Sequence, residues 1–506
     1  MQNTTNEEST ALYPSLYEIN TRVLVHELGR KLGRRATLDD VSDNQLDRLR
    51  GQGFDWVWFL GVWQTGPAGQ AISRENQGWL REYRELLPDF TEADVCGSPF
   101  AVMRYQAHAE FGGNAALDRL RDRVHSRGMK LLLDFVPNHT ALDHEWVTRH
   151  PEFYVHGSEE NLRNQPQNYF RAGSADAPFI LAHGRDPYFD GWPDTAQLNY
   201  AEPALQEAMI GELRNIADHC DGLRCDMAML MLPEVFERTW GKRAEPFWPR
   251  AIQTVRERHP GFLFMAEVYW DFEWELQQRG FDYTYDKRLY DRLRAGHARP
   301  VRDHLHAALD FQKKSVRFLE NHDEPRAAAV FPPAQHKAAA VVAFLCPGLR
   351  FFHDGQFEGR KKKLPVHLHR RPDEAVDTAL FAFYERLLAC LNLPVTRHGA
   401  WSLLEPAAAW EGNWTADCFL CFAWEDAPSD RLVVVVNFAP NQSQCYLRLP
   451  FGLAADSSVI LEDLMGEETY EKNAAELHAR GLYLDLAGWG YHVFRLKESN
   501  LHRQQS

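Results

Sequence analysis

Three acidic residues follow short apolar runs of the sequence, each at the point where the run ends. Asp226 ends the segment GLRCD, Glu267 lies in AEVYW, and Asp323 lies in ENHDEPR. A carboxylate and a carboxylic acid that face the same bond can act as nucleophile and proton donor. An isolated Asp or Glu at such a position is usually a helix cap or a solvated charge. The three residues therefore indicate catalysis only if the fold brings them together.

Further polar side chains accompany these carboxylates. Arg224 precedes Asp226 by two positions, so both side chains point to the same face of a strand. Two segments, DFVPNH and ENHDEPR, contribute Asp134, Asn138, His139, His322 and Arg326. Burying carboxylates together with an arginine is costly unless the cluster has a purpose. Convergence of these residues would mark a functional site.

Eight short, nearly continuous apolar runs carry or precede these residues. Continuous apolar character is typical of strands that are buried on both faces. The runs are 16–23, 55–62, 129–136, 221–227, 262–268, 281–286, 315–320 and 349–354. Amphipathic stretches between them predict helices, for example over 201–220. The alternation predicts a (β/α)8 barrel, an α/β fold whose active sites lie at the C-terminal ends of the strands.

The chain of 506 residues is too long for one hydrophobic core. We assign 1–140 and 201–397 to the barrel. Residues 141–200 lack a clear period and interrupt the third βα unit, so they predict an insertion with a functional role. Several apolar runs separated by turn residues predict an all-β C-terminal domain, a β-sandwich over 398–500.

Composition excludes some partners. The net charge of −15 disfavours nucleic acid and anionic membrane surfaces. No stretch of about 18 apolar residues occurs, and the polar start lacks a secretory signal pattern. The eight scattered cysteines fit free thiols in a reducing compartment. We expect a cytoplasmic protein, and its oligomeric state stays open.

The four segments DFVPNH, GLRCD, AEVYW and ENHDEPR, in this order and on these strands, resemble the conserved regions of the α-amylase family, glycoside hydrolase family 13. WPDTAQLNY (192–200) looks like a further motif of that family, and the resemblance covers nearly the whole chain. It implies a retaining α-glycosidase that acts on α-1,4-linked glucans or malto-oligosaccharides through a covalent β-glycosyl-aspartate.

The resemblance also implies a role for each residue. Asp226 would be the nucleophile, Glu267 the general acid/base, and Asp323 a stabiliser of the transition state. Arg224 should keep Asp226 ionised, and burial with neighbouring carboxylates should raise the pKa of Glu267. The residues implied in substrate binding are Phe100, Asp134, His139, Arg224, His322 and Arg326.

The sequence departs from the family pattern at several positions. Phe100 stands where relatives often have Tyr, and Ala101 follows where exo-acting glucosidases often have Asp nearby. Met229 and Leu230 replace a Lys-His pair of calcium-containing amylases. Asn138 matches a calcium ligand of the family but can equally be a structural hydrogen-bonding side chain, so the sequence leaves calcium open and requires no cofactor. The loop 347–360 is interpreted as structural, with glycines for tight turns.

Two alternatives stay open at this stage. A transglycosylase or glucosyl isomerase, for example one active on sucrose or maltose, would use the same three carboxylates. A catalytically inactive glucan-binding barrel would be expected to lack at least one of them, and all three are present. In each case the expected partner is an oligo- or polysaccharide.

Overall fold

The computed structural model describes residues 11–174 and 176–500. Residues 1–10, which the sequence analysis assigns to the barrel, lie outside the described part. Eight parallel strands form a closed barrel in which each strand pairs with its neighbours in chain order. They are β1 (Ser15–Asn20), β2 (Trp56–Leu60), β3 (Lys130–Phe135), β4 (Gly222–Cys225), β5 (Leu263–Ala266), β6 (Tyr283–Tyr285), β7 (Ser315–Arg317) and β8 (Leu349–His353). The predicted (β/α)8 barrel is confirmed.

Each barrel strand overlaps one predicted apolar run. The first run, 16–23, extends beyond the strand, because β1 ends at Asn20. The chain turns from β1 into the helix Thr21–Leu32, because the Asn20 side chain accepts hydrogen bonds from the backbone N–H groups of Arg22 and Val23. An Asn at this position satisfies amides that have no partner within the helix. The remaining α-helices are Asp43–Gly51, Pro67–Glu75, Gln77–Leu86, Gly113–His125, Glu145–Arg149, Glu159–Asn164, Pro203–Ala217, Pro233–Trp240, Trp248–Arg258, Glu273–Gln278, Lys287–Ala295, Ala298–Leu305, Leu309–Lys313, Ala327–Val330, Pro333–Leu345, Thr378–Leu391, Pro394–His398 and Ala474–Arg480.

Two excursions from the barrel lie at the C-terminal ends of its strands. After β2, the strands Trp63–Thr65 and Val102–Ala107 pair antiparallel. After β3, the strand Thr195–Gln197 returns to pair with His139–Ala141. The segment between these last two strands also contains a hairpin, Tyr169–Ser174 with Ala177–Ala182, which the aperiodic sequence did not reveal. The pairing after β3 holds the motif 192–200 against the end of that strand.

The C-terminal region contains two antiparallel sheets. The six-stranded sheet contains, in spatial order, Ala400–Leu404, Phe419–Ala427, Asp430–Asn437, Tyr491–Asn500, Ser457–Asp463 and Thr469–Asn473, and the three-stranded sheet contains Pro406–Ala408, Ser443–Leu447 and Leu482–Leu486. Side chains from both sheets, including Val433, Leu447 and Leu484, share one buried cluster. The expected all-β domain is present, and Trp424 joins it to the barrel by donating its indole N–H to the carbonyl of Leu345 at 2.9 Å.

No helix in the described part of the chain combines the length and the apolar character needed to cross a lipid bilayer.

A glycine before β8 is required by close backbone packing. Gly348 has φ 126°, and an added Cβ would lie 2.2 Å from the carbonyl oxygen of Ser315. That contact is with backbone, so it cannot be relieved by a rotamer change. The structure supports the structural interpretation of this glycine in the loop 347–360.

Gly348→Ala is expected to lower the free energy of unfolding by about 1–3 kcal/mol, because the added methyl group overpacks the strand junction. Gly211→Ala is the matched control, since Gly211 lies within the helix Pro203–Ala217 and an added Cβ meets nothing within 4 Å. It should raise that free energy by up to about 1 kcal/mol. Urea unfolding midpoints of both variants test this, and equal midpoints would contradict it.

Candidate active site

One guanidinium group gathers the three predicted carboxylates at the C-terminal end of the barrel. Arg224 Nη1 forms an ion pair with Asp226 Oδ1. Arg224 Nη2 lies 2.7 Å from Glu267 Oε2 and 3.6 Å from Asp323 Oδ2. Arg224 is fully buried. Among the described side chains, these three carboxylates are the acidic groups that neutralise its charge. The structure brings Arg224, Asp226, Glu267 and Asp323 together.

The backbone explains why Asp226 and Glu267 face each other. The barrel ladder continues past the strands, because Asp226 N–H donates to the Phe135 carbonyl at 2.8 Å and Glu267 N–H donates to the Cys225 carbonyl at 3.0 Å. The chain then turns at Met227, which has φ 41°, an uncommon conformation for a residue with a side chain. This turn aims the Met227 N–H at Glu267 Oε2, at 2.7 Å.

The environment of Glu267 suits a proton donor. Burial raises the pKa of Glu267 to about 7, against the opposing charge of Arg224 and with support from the negative charges of Asp226 and Asp323. The Tyr269 hydroxyl donates to Glu267 Oε1 at 2.9 Å. A carboxyl group with a pKa near 7 can exchange a proton near neutral pH, and Asp226, paired with Arg224, shares that guanidinium with it.

Asp323 is held by a buried histidine. His322 Nε2 lies 2.9 Å from Asp323 Oδ2, and its Nδ1 lies 2.6 Å from Glu18 Oε1. Burial would lower the pKa of His322, but the negative charges of Asp323 and Glu18 raise it to about 10. Desolvation alone would raise the pKa of Asp323. The positive charges of His322 and Arg224 outweigh that effect and hold the pKa of Asp323 well below its ordinary value. Asp323 therefore stays an anion that can accept hydrogen bonds.

The carboxylates border a cavity of about 350 Å³. Its lining combines aromatic faces with a few polar groups, which is typical of small-molecule sites. The lining residues are Trp79, Ser98, Phe100, His139, Trp192, Pro193, Asp194, Thr195, Asp226, Met227, Glu267, Tyr269, Asp323, Val366 and His367. Two of the predicted substrate-binding residues, Phe100 and His139, are among them. Burial lowers the pKa of His139 to about 4, so it is a neutral hydrogen-bonding group.

Three other predicted substrate-binding residues lie behind the cavity wall. Arg224 and His322 act on the carboxylates from below. Asp134 accepts hydrogen bonds from the Trp58 indole at 3.1 Å and from the Gly61 N–H at 2.6 Å, so it holds the loop after β2.

The structure does not bring Arg326, a predicted substrate-binding residue, to the cavity. Its guanidinium donates to Glu320 Oε1 at 2.6 Å and to the Asp354 carbonyl at 2.8 Å, and it does not line the cavity. Glu320 is buried, so its negative charge needs the Arg326 guanidinium, with His353 a further neighbour at 3.4 Å. Arg326 directly precedes the helix Ala327–Val330.

The residues around Asn138 do not fit calcium. The Asn138 side-chain oxygen accepts from the Gln197 amide at 3.0 Å, and the Asn138 amide donates to Gln197 Oε1 at 3.2 Å. Both groups are neutral and buried, whereas calcium prefers several carboxylate and carbonyl oxygens. Within residues 11–174 and 176–500, no three His, Cys, Asp or Glu side chains gather to hold a metal ion. The Asn138 side chain is thus engaged by a protein partner, and calcium at this position stays a prediction.

The sequence pattern did not indicate several residues of this site. Glu18 lies in a β1 run that reads as an ordinary strand, and nothing in its spacing connects it to His322. Tyr269 follows Glu267 by two positions, and that spacing on a strand could have indicated it. Trp79 lies in the helix Gln77–Leu86, whereas Asp194 and His367 lie in loops, and only the tertiary fold places these three residues at the cavity.

Comparisons with known proteins agree on one family. Residues 102–379 match the family model described as the α-amylase catalytic domain. The chain is 24% identical to the α-amylase MalA of Haloarcula japonica over 85% of this chain and 54% of that protein. It is 31% identical to the trehalose synthase/amylase TreS of Mycolicibacterium smegmatis over 46% of this chain and 38% of that protein. The chain thus spans about half, or less, of the length of these curated relatives.

Solved structures show the same fold. A maltogenic α-amylase, AmyB from Thermotoga neapolitana, superimposes with a TM-score of 0.67 at 19% identity over 95% of this chain and 98% of that one. An α-amylase from Geobacillus thermoleovorans, in complex with acarbose, gives a TM-score of 0.64 at 19% identity over 97% of this chain and 100% of that one. At these identities the likeness concerns the fold alone.

The charge on His322 predicts a pH-dependent contribution to stability. Its pKa rises from 6.5 to about 10 on folding, so its ion pairs stabilise the fold fully below pH 6.5 and lose their effect as the pH rises to about 10. His322→Gln should therefore cost about 3–5 kcal/mol at pH 6, and the difference from wild type should shrink toward pH 10.

His336→Gln is the control for this experiment. His336 is buried and bonded to the Tyr384 hydroxyl, and burial lowers its pKa to about 4. Its neutral form is the stable one, so the difference from wild type should stay constant from pH 6.5 to 10. Denaturant midpoints at each pH measure both differences. A constant difference for His322→Gln would contradict its role as an imidazolium.

Proposed function

The chain belongs to the α-amylase family, and on that premise we propose that it cleaves α-1,4-linked glucans or malto-oligosaccharides with retention of anomeric configuration. The observation that supports this most strongly is the Arg224 guanidinium, which holds Asp226 and Glu267 side by side at one cavity. Retaining enzymes need their nucleophile and acid/base carboxyls about 5–5.5 Å apart, and a shared guanidinium keeps two such groups close.

In the first step, an Asp226 oxygen attacks the anomeric carbon of the bound sugar. The glycosidic C–O bond breaks, and Glu267 gives its proton to the departing oxygen. The sugar is left as a β-glycosyl ester of Asp226, and Glu267 becomes a carboxylate. Asp323 accepts hydrogen bonds from hydroxyls of the same sugar, and its negative charge stabilises the oxocarbenium-like transition state.

In the second step, the Glu267 carboxylate takes a proton from water or from a sugar hydroxyl. The oxygen of that acceptor attacks the anomeric carbon, the ester bond to Asp226 breaks, and the α configuration is restored. Arg224 stabilises both carboxylates through this exchange of protonation. The Met227 N–H and the Tyr269 hydroxyl hold Glu267 in one orientation throughout.

Transfer to a sugar acceptor is a second candidate. It is favoured by a group of aromatic rings around Trp270. Trp270 comes directly after Tyr269, and the Tyr188 ring packs against it with centroids 4.8 Å apart. Tyr188 and Phe189 are largely exposed, so they offer flat faces on which an acceptor sugar can stack. Relatives named as trehalose synthase/amylase and as a maltosyltransferase make transfer a reasonable expectation.

Asp226→Asn should leave the fold intact and lower turnover of maltoheptaose by at least about 10⁴-fold, since no nucleophile remains. Asp310→Asn is the control, an exposed carboxyl in the first turn of the helix before β7, and should retain wild-type turnover. Product analysis with and without added glucose separates the two candidates, because longer oligosaccharides indicate transfer. A substantially active Asp226→Asn enzyme would refute the nucleophile assignment.

The pKa of Glu267 predicts the alkaline side of the pH profile. The first step needs Glu267 protonated, so kcat/KM on maltotriose should fall about tenfold per pH unit above pH 7. Tyr269→Phe removes a donor that favours the carboxylate, and it should move this fall to higher pH. A profile that stays flat to pH 9 would contradict the acid role of Glu267.

A further inference from the structure

A carboxyl group that the reaction does not use lies in the wall of the cavity. Asp194 is 4% exposed, lines the same cavity as Asp226 and Glu267, and has no hydrogen-bond partner for its Oδ2 atom. Burial raises the pKa of Asp194 to about 6, and no cation among the described residues offsets that burial. An unpartnered buried carboxyl oxygen costs stability, so its retention calls for a ligand.

The backbone around Asp194 is held firmly. Thr195 N–H and the Thr195 hydroxyl both bond to the Trp192 carbonyl, at 3.1 and 2.8 Å. The strand that starts at Thr195 then pairs with His139–Ala141 at the end of β3. Asp194 is therefore placed by the barrel itself, which keeps its side chain directed at the cavity.

Asp194 lies beside the loop that carries Phe100. A methyl group added to Gly69 would lie 3.5 Å from the Cβ of Ala101 and 3.7 Å from the Cβ of Asp194, so these residues are neighbours. Ala101 directly follows Phe100, and the negative charge of Asp194 also acts on Tyr83 of the helix Gln77–Leu86. Asp194 is thus enclosed by the Phe100 loop and by that helix.

Two stacked rings also line this cavity. The Trp79 and His367 rings lie with their centroids 4.2 Å apart and their planes at 22°. Burial lowers the pKa of His367 to about 4, so the stack is uncharged. The loop that carries His367 is fixed to the Phe100 side, because the Cys96 N–H donates to the His367 carbonyl at 2.8 Å and Val95 pairs with Leu368.

We propose that Asp194 binds the hydroxyls of the terminal, non-reducing sugar and that the Trp79–His367 pair blocks any sugar beyond it. Because Glu267 protonates the leaving oxygen, the sugar that stays on Asp226 extends away from Glu267, toward Phe100 and Asp194. A carboxylate oxygen accepts hydroxyl hydrogens well, and a cavity of about 350 Å³ is at the small end of ligand sites. The enzyme therefore acts from the chain end, and this inference rests on the proposed function.

The first test compares maltoheptaose glycosides that differ only in a 4,6-ethylidene block on the non-reducing end. Wild type should cleave the open substrate and should cleave the blocked one at least 100-fold more slowly, because the block removes the donors and collides with the Trp79–His367 pair. Equal rates on both substrates would overturn the inference while leaving the proposed cleavage intact. Inactivity on both would overturn the proposed function and the inference together.

The second test removes the carboxylate. Asp194→Ala should lower kcat/KM on maltotriose about 10- to 100-fold, the usual effect of losing a hydrogen bond to a charged group. Maltose analogues deoxygenated at the terminal 4- or 6-position should lose a similar factor with wild type. For at least one of these analogues, Asp194→Ala should give the same kcat/KM as it gives on maltose itself. Independent losses for both analogues would refute a direct contact.

A stability measurement separates a ligand-binding carboxyl from a structural one. Asp194→Asn removes an uncompensated charge, so its thermal midpoint should equal or exceed that of wild type while kcat/KM falls. Asp463→Asn is the matched control, because Asp463 is equally buried but accepts from the Met465 and Val493 N–H groups. It should lose thermal stability and keep wild-type kcat/KM. A destabilised Asp194→Asn with normal kcat/KM would overturn the inference.

Binding without turnover gives an independent readout. Calorimetry of maltose with Asp226→Asn, compared with the same variant that also carries Asp194→Ala, should show about 10- to 100-fold weaker binding in the second protein. Equal dissociation constants would count against Asp194 as a sugar ligand.

Discussion

The site depends on a single buried positive charge that three carboxylates share. Arg224 is fully buried on β4, and its guanidinium contacts Asp226, Glu267 and Asp323. Without it, three negative charges at the end of one barrel would repel each other in a weakly screened environment. Its presence allows Asp226 to remain in an ion pair, while Glu267, which is also buried, has a pKa near neutrality. One arginine thereby supports two different roles for two chemically similar groups.

Beneath this layer, acidic and basic side chains alternate toward the barrel core. His322 lies between Asp323 and Glu18, and the next histidine, His353, lies 3.4 Å from Glu320 and 4.0 Å from Glu18. Arg326 then compensates Glu320. Breaking any such buried pair leaves a costly unpaired charge, so the network resists rearrangement. Its effect on the cavity is to keep Asp323 in one place as an anion, ready to accept hydrogen bonds.

The barrel and the gathering of the three carboxylates could be predicted because their signals are local. Continuous apolar runs predicted the eight strands, and the two-residue spacing of Arg224 and Asp226 predicted a shared face. Other features depend on contacts between distant segments. Glu18 meets His322 across 304 positions, and Arg326 lies in a matched motif yet points away from the cavity to satisfy Glu320. Spacing along the chain carries no record of either contact.

The wall of the cavity around Asp194 also depends on contacts between distant segments of the chain. Ala101 indicated that the Phe100 loop provides no acidic group for a terminal sugar, and that remains true of the loop. The structure nevertheless places Asp194 of the insertion beside Ala101, so a carboxyl reaches this wall from another part of the chain. Asn138 shows the converse, since its motif resembles a calcium ligand, while Gln197 occupies its side chain with neutral hydrogen bonds.

The central claim is that Asp226 forms a covalent bond to the sugar. The most direct measurement is mass spectrometry of peptides after the enzyme reacts with 5-fluoro-α-glucosyl fluoride, a reagent whose glycosyl ester hydrolyses slowly. One fluoroglucosyl group on the peptide that contains Asp226, and none after Asp226→Asn, is the predicted result. A label on Glu267, or continued turnover of the reagent with no labelled peptide, would contradict the account.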